Sequence, residues 1–280
     1  MLPHTAYGKS GIRLVKLTRH RDRHDLIDLT IAIRFEGDWP RSYTDGDNSA
    51  VLPTDTMKNT VYALAAGAPL DEPEPFGLLL ADHFLQRNAR LQIVTIDIVQ
   101  HLWTRLTSSA EDDPYSFARR GPEVRTATIV RDRDKPHAEI HAGIRDLLIL
   151  KSSRSAFAGF PRDEYTTLPE THDRILATSL EATWRYAHDV PFKNAWQAIR
   201  QTLLDTFAAH DSASVQHTLY AMGRHVIDTR AVVESIHLVM PNKHHLPVDL
   251  SRFGLQNRNE IFVATDEPFG LIEATIDRAS

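Results

Sequence analysis

From Asp28 to Phe35 the chain alternates, with Leu29, Ile31, Ile33 and Phe35 on one side and Asp28, Thr30, Ala32 and Arg34 on the other, the period-two signature of a half-buried strand. Ile12 to Leu17 supplies its hairpin partner across the polar stretch Thr18 to Asp25. A helical period then takes over. The run Ala50-Val51-Leu52 predicts a short strand leading through Pro53 into a helix from Thr54 to Ala66, whose buried stripe is Met57, Val61 and Leu64. Thr54 or Asp55 is placed to cap its first turn, and that positively polarised turn also suits an anion. Phe76, Leu80 and Phe84 mark a further helix from Pro75 to Asn88, with the proline tolerated in the first turn. Alternation returns at Val94, Ile96 and Ile98, and again from Val124 to Val130.

The second half runs in the same order. Strands near His137 to Lys151 and Arg174 to Tyr186 precede a helix carrying Trp196, Ile199, Leu203 and Phe207, then one carrying Val215, Leu219, Met222 and Val226. Strands at Val232 to Met240, Glu260 to Val263 and Leu271 to Ile276 follow. The pattern predicts an α+β chain of two ββααββ units, residues 1–135 and 136–280, continuous and without a flexible linker. Each antiparallel sheet has one face for its two helices, leaving another face and the edges in need of partners. The repeat is architectural, with little residue identity between the halves.

Composition narrows the chemistry. At 42% hydrophobic and 25% charged residues the chain is neither disordered nor fibrous. The net charge of -5 and the scatter of its cations leave no electrostatic footprint for nucleic acid; Arg19, Arg21 and Arg23 are interrupted by Asp22 and Asp25 and read as a solvated turn. With no cysteine there is no disulfide framework, thiolate nucleophile or cysteine-based metal site. His20 and His24 have helical ligand spacing but sit in a polar turn without a third ligand, so no metal is expected. No apolar run approaches the roughly 18 residues of a membrane span and no signal-peptide core opens the chain, so a cytoplasmic protein without a membrane partner is expected. Neither a GxGxxG nor a Walker sequence is present.

Several longer blocks remain. They are Asn48-Ser49 with Thr54-Asp55 and Lys58-Asn59-Thr60, then His101 and Trp103-Thr104-Arg105, then the run from Phe157 to Thr167 and Asp173-Arg174-Ile175-Leu176. Ser212 to Gln216, Pro241-Asn242-Lys243-His244 and Gly254-Leu255-Gln256-Asn257 complete the set. In this order, and from Tyr7-Gly8-Lys9 to Gly270-Leu271-Ile272, the chain resembles the cofactor-independent urate oxidases.

That resemblance implies the tunnelling fold, or T-fold, with subunits closing into a barrel-shaped homotetramer, and oxidation of urate by dioxygen and water to 5-hydroxyisourate and hydrogen peroxide without a cofactor. By it, Phe157 stacks on the purine face, and Arg174 and Gln216 grip the pyrimidine edge through a guanidinium fork and an amide. The backbone N–H of Val215 adds a contact, and the main chain of Thr54 and Asp55 meets the five-membered ring. Lys9, Thr54 and His244 match the proton-handling group, while Thr54 and Asn242 bound the oxygen pocket. Lys9, Thr54 and Asp55 would come from one chain and the remainder from its neighbour. Without the motif, Phe157 reads as a core aromatic, Arg174 as the surface charge opening a strand, Asn242 as a turn residue, and Lys9 and His244 as solvated.

Two departures stand out: Ala158 replaces a bulky aromatic common in the family, and the segment from Arg185 to Asn194 is shorter than in fungal relatives. The terminal Arg278-Ala279-Ser280, unlike the peroxisomal Ser-Lys-Leu of eukaryotic relatives, points to a bacterial cytoplasm. Two rival readings stand beside it: a zinc-dependent T-fold pterin or purine enzyme, which needs a histidine or cysteine cluster that the sequence lacks, and a non-catalytic purine-binding oligomer.

Overall fold

Strands β1 (Ala6–Arg19) and β2 (His24–Gly37) form an antiparallel hairpin in a computed structural model that describes residues 2–108, 111–187 and 190–279. Leu29, Ile31, Ile33 and Phe35 of β2 are fully buried, as their alternation predicts. Asp28, read as solvent-facing, is buried too, because Trp103 Nε1 donates to it at 3.1 Å and Arg13 pairs with it. After the short helix α1 (Pro40–Thr44) come α2 (Thr54–Gly67), α3 (Pro73–Arg87) and the strands β3 (Leu91–Ser108) and β4 (Glu111–Asp132). The strand order is β1-β2-β3-β4, and both long helices pack on this sheet through Met57, Val61, Phe76, Leu80 and Phe84.

The chain continues through β5 (Glu139–Lys151), β6 (Leu176–Tyr186), α4 (Phe192–Ala209), α5 (Val215–Thr229), β7 (Val233–Lys243), β8 (His245–Pro247), β9 (Phe262–Ala264) and β10 (Gly270–Asp277). Here the order is β5-β6-β7-β10, with β8 and β9 forming a separate small hairpin. Two compact units result: unit 1 is Met1–Gly143 with His188–Asn194, and unit 2 is Ile144–Ala187 with Ala195–Ser280. Among the described residues no helix is long and apolar enough to cross a membrane.

Local chemistry overrides four details of the predicted pattern. Ala50-Val51-Leu52 is not a strand: Asn48–Ala50 forms a 3-10 turn, because the Asp47 carboxylate accepts the Ser49 N–H at 3.0 Å and the Val51 N–H closes on the Asn48 carbonyl. Thr54 and Asp55 do not cap α2; Pro53 holds the cap position, and the Asp55 carboxylate turns instead to Lys58 and Asn59. Ala65 rather than Leu64 completes the buried stripe of α2. Arg174 precedes β6 instead of opening it, since its N–H is used by the Ser155 carbonyl at 2.8 Å.

The repeat runs deeper than the pattern of elements. In unit 1 the Arg133 guanidinium donates to the carbonyls of Leu85, Asn88 and Leu91, each at 2.8 Å, closing the C-terminus of α3. In unit 2 Arg278 donates to the carbonyls of Ile227, Arg230 and Val233 at 2.6 to 3.0 Å, closing α5; the three acceptors, though not the arginine, stand at one constant sequence spacing from the first set. The other helix of each unit is closed in the same way, α2 by Lys16 on the Ala65 and Ala68 carbonyls and α4 by Lys151 on the His210 carbonyl. Cations belong at these termini, where unsatisfied carbonyls and the negative helix pole coincide. At the same spacing, buried Phe76, Gly77, Leu80, Ala81, Phe84 and Leu85 of α3 correspond to buried Thr218, Leu219, Met222, Gly223, Val226 and Ile227 of α5.

Candidate active site

The site in unit 2 is assembled by main-chain sutures. Ser155 bridges Ser212 in parallel, through Ala156 N–H to Ser212 O at 2.7 Å and Ser212 N–H to Arg154 O at 3.0 Å. Phe157 bridges Thr171 in antiparallel fashion through two bonds of 2.8 and 3.0 Å. The Asp173 carboxylate holds the Arg154 N–H at 2.8 Å and the Ser153 hydroxyl at 2.9 Å. One short segment therefore fixes Phe157, Arg174 and the start of α5 together, although they lie far apart in sequence.

The Phe157 ring stacks on Phe160 at 4.9 Å between centroids and 14° between planes, and the Arg174 guanidinium stands 5.3 Å from its centroid. Burial pushes the Arg174 pKa below its ordinary value, and its Nε is buried without a hydrogen-bond partner. A desolvated cation with an idle donor is poised for an anion. At the start of α5 the Ser214 hydroxyl caps the His217 N–H at 3.1 Å, one turn in, so the cap is not spent on Val215 or Gln216. Val215 is buried, while the Gln216 side chain is exposed. Asn242, near the end of β7, is 9% exposed, and its Nδ2 lies 3.5 Å from His244 Nδ1.

These side chains share one cavity of about 440 Å³, lined by Phe157, Arg174, Val215, Gln216, Asn242 and His244 and closed by an apolar wall that includes Leu168, Ile175, Leu246, Phe262 and Ile272. That volume and mixture suit a flat, polar-edged small molecule. The sequence does not single out this wall: Ile175, Phe262 and Ile272 stand in predicted strands without a mark of function, and Leu168 lies in a loop that carries no period.

The other three expected residues belong to unit 1. Lys9 sits on β1 beside the bulge at Ser10 and Gly11, and Thr54 and Asp55 open α2, whose first turn no side chain caps. The Asp55 carboxyl is held below its ordinary pKa, first by its bond to Lys58 and lastly by the charge of Lys9. His20, the candidate metal ligand, is bonded to Asp25 at 2.8 Å, and among the described residues no group of three or more potential ligands could hold a metal ion. Ala158 is exposed, so its small side chain leaves no gap in the core. Residues 188 and 189 of the shortened segment lie outside the described residues.

The family model for uricase matches residues 5–130 and 140–273. This chain belongs to the uricase family. Uricase from Arthrobacter globiformis is 44% identical over 279 residues, which span 99% of this chain and 90% of that protein. Uricase from Aspergillus flavus is 37% identical across 98% of this chain and 96% of its own length. The crystal structure of the Arthrobacter globiformis uricase matches with a TM-score of 0.94, covering 99% of this chain and 95% of that one. Urate oxidase from Bacillus sp. TB-90, at 22% identity and a TM-score of 0.83, has the same fold. The α+β chain of tandem ββααββ units is the uricase fold, as expected, and the zinc-enzyme and binder alternatives are not favoured.

Proposed function

We propose that this uricase oxidises urate with dioxygen and water, without a cofactor, and that the cavity of unit 2 grips the purine. The observation that carries this reading is the convergence of an aromatic face, a desolvated guanidinium and an α5 N-terminus bearing Gln216 in one cavity of about 440 Å³. Urate is flat, electron-rich and anionic near neutral pH. Phe157 takes its face, Arg174 and Gln216 take its pyrimidine edge, and the Val215 N–H takes an oxygen.

The chemistry then follows from proton removal. Lys9 and Thr54 relay a second proton away from urate, with His244 setting the proton state of the relay. The dianion gives one electron to dioxygen in the pocket bounded by Thr54 and Asn242. Recombination of the two radicals forms a hydroperoxide at the carbon shared by the rings next to the carbonyl. That carbon expels hydrogen peroxide, and water adds in its place to give 5-hydroxyisourate. Urate supplies both electrons, so beyond the proton relay the protein contributes orientation and electrostatics. The Thr54 and Asp55 main chain, at the uncapped first turn of α2, suits the five-membered ring of an anion.

Because Lys9, Thr54 and Asp55 belong to the half-site of a neighbouring chain, the active form is a homotetramer with composite sites. The test is urate consumption and peroxide release followed through a dilution series, with and without a chelator. Activity that survives chelation and disappears on dissociation is the expected result. Loss under chelation, full activity in monomers, or tight urate binding without turnover would each overturn the reading.

A further inference from the structure

One constant spacing relates α3 and β3 of unit 1 to α5 and β7 of unit 2, and so gives the cavity residues Gln216 and Asn242 counterparts in unit 1. Helices α3 and α5 have 15 residues each and the same buried positions, with one break. Glu74, at 0% exposure, stands in unit 1 where the exposed, cavity-lining Gln216 stands in unit 2. The sheet registers show a second break beside the first. Gln100 on β3 corresponds to Asn242 on β7, and their cross-strand partners are Arg125 on β4 and Gly270 on β10.

Glu74 and Arg125 meet. The guanidinium donates to both carboxylate oxygens, at 2.8 and 2.7 Å, inside unit 1. The pair thus joins, in unit 1, the two positions that Gln216 and Gly270 hold in unit 2. Gly270 has no local reason to be glycine: its φ lies outside the left-handed region, and an added Cβ would meet only Ile272 Cδ1 at 3.7 Å and Asn242 Cβ at 3.9 Å, ordinary contacts. A side chain beyond Cβ would extend beside Asn242 and Ile272, both of which line the cavity.

We propose that Gly270 is a specificity-determining residue that keeps the purine cavity open, and that the Glu74–Arg125 pair is an internal ligand filling its unit 1 counterpart, so that each chain keeps a single substrate cavity. The proposal rests on the reading of the unit 2 cavity as the urate site.

Gly270→Arg and Gly270→Ala are the test, read by urate binding without oxygen, by oligomeric mass and by crystal structure. Gly270→Arg should assemble normally yet bind urate at least about 100-fold more weakly, with its guanidinium lying toward Gln216, whereas Gly270→Ala should stay within about 3-fold of the parent. Native affinity in Gly270→Arg, or an equal loss in Gly270→Ala, would overturn the proposal. Should Gly270→Arg fail to assemble, the reverse variant Glu74→Gln with Arg125→Gly decides by crystallography: an open hollow between residues 74 and 100 supports the proposal, and a filled one refutes it. Arg174→Ala, run in parallel, separates the two levels, since unchanged urate binding there would instead remove the site reading itself.

Discussion

Replacing Arg174 with alanine should move ligand affinity and apo stability in opposite directions. Its guanidinium is desolvated, its Nε is buried without a hydrogen-bond partner, and burial depresses its pKa. Two charge-assisted bonds to an anionic purine edge are worth about 1.5 to 3 kcal/mol each, so their loss should cost about 3 to 6 kcal/mol of binding. At about 1.4 kcal/mol per tenfold, urate affinity should fall by about two to four orders of magnitude. Stability answers to other terms. Removing an unsatisfied buried donor relieves about 1 to 3 kcal/mol, set against about 0.5 to 1 kcal/mol for the lost cation–π contact with Phe157. For a chain of 280 residues the melting entropy is about 0.6 kcal/mol per degree, so the Tm should hold or rise by up to about 4 °C. Calorimetry with urate under nitrogen and thermal melts of the apo protein read the two effects. A variant that loses several degrees of Tm while binding urate within about 3-fold of the parent would show Arg174 to be a structural residue, and the reasoning would fail.

The Glu74–Arg125 pair predicts a pH signature. Burial, outweighing the charge of Arg125, raises the Glu74 pKa above its ordinary 4.5, so the folded chain holds this proton more tightly than the unfolded one. Its contribution to stability is present below the unfolded value and fades as pH rises through the folded one. Arg125→Met removes the opposing charge and should cost about 3 to 5 kcal/mol at pH 8, a loss that shrinks on acidification toward pH 5; a loss flat across that range in Tm measurements would contradict it. The repeated helix closures predict paired effects. Arg133→Ala and Arg278→Ala should each lower the Tm by about 3 to 7 °C, from about 2 to 4 kcal/mol of lost carbonyl bonds, and lysine at either position should restore only part because it lacks the fork. One silent variant of the two would break the equivalence.

How much of the molecule is legible in its sequence depends on whether a residue's fate is decided by period or by partner. Leu29, Ile31, Ile33 and Phe35, or Leu219, Met222 and Val226, are buried because burial is what their spacing selects. Ala50 to Leu52 failed because a three-residue apolar run carries too little strand preference to resist the Asp47 side-chain bond that nucleates a turn. Asp55 failed as a cap because Lys58 and Asn59, three and four residues on, offer a charge-assisted alternative. Phe157 has no periodic signature, and Arg174 stands only at the edge of one, just before β6. Their positions come from bridges to Thr171 and Ser155, so only the resemblance of whole blocks could find them.

The internal repeat supplies a different signal, one that needs no relatives once the fold is known. Where two units pack the same way, selection for the core keeps corresponding positions alike in burial, and Phe76 and Thr218, or Ala81 and Gly223, show how far chemistry can drift while burial holds. A position that differs in burial between the units has been released from that shared constraint, and Glu74 against Gln216 is such a position, as Arg125 against Gly270 is in side-chain bulk. Both breaks fall at one place in the unit, at the helix start and the strand facing it. The scaffold is duplicated, and the candidate cavity of unit 2 stands where the duplication stops.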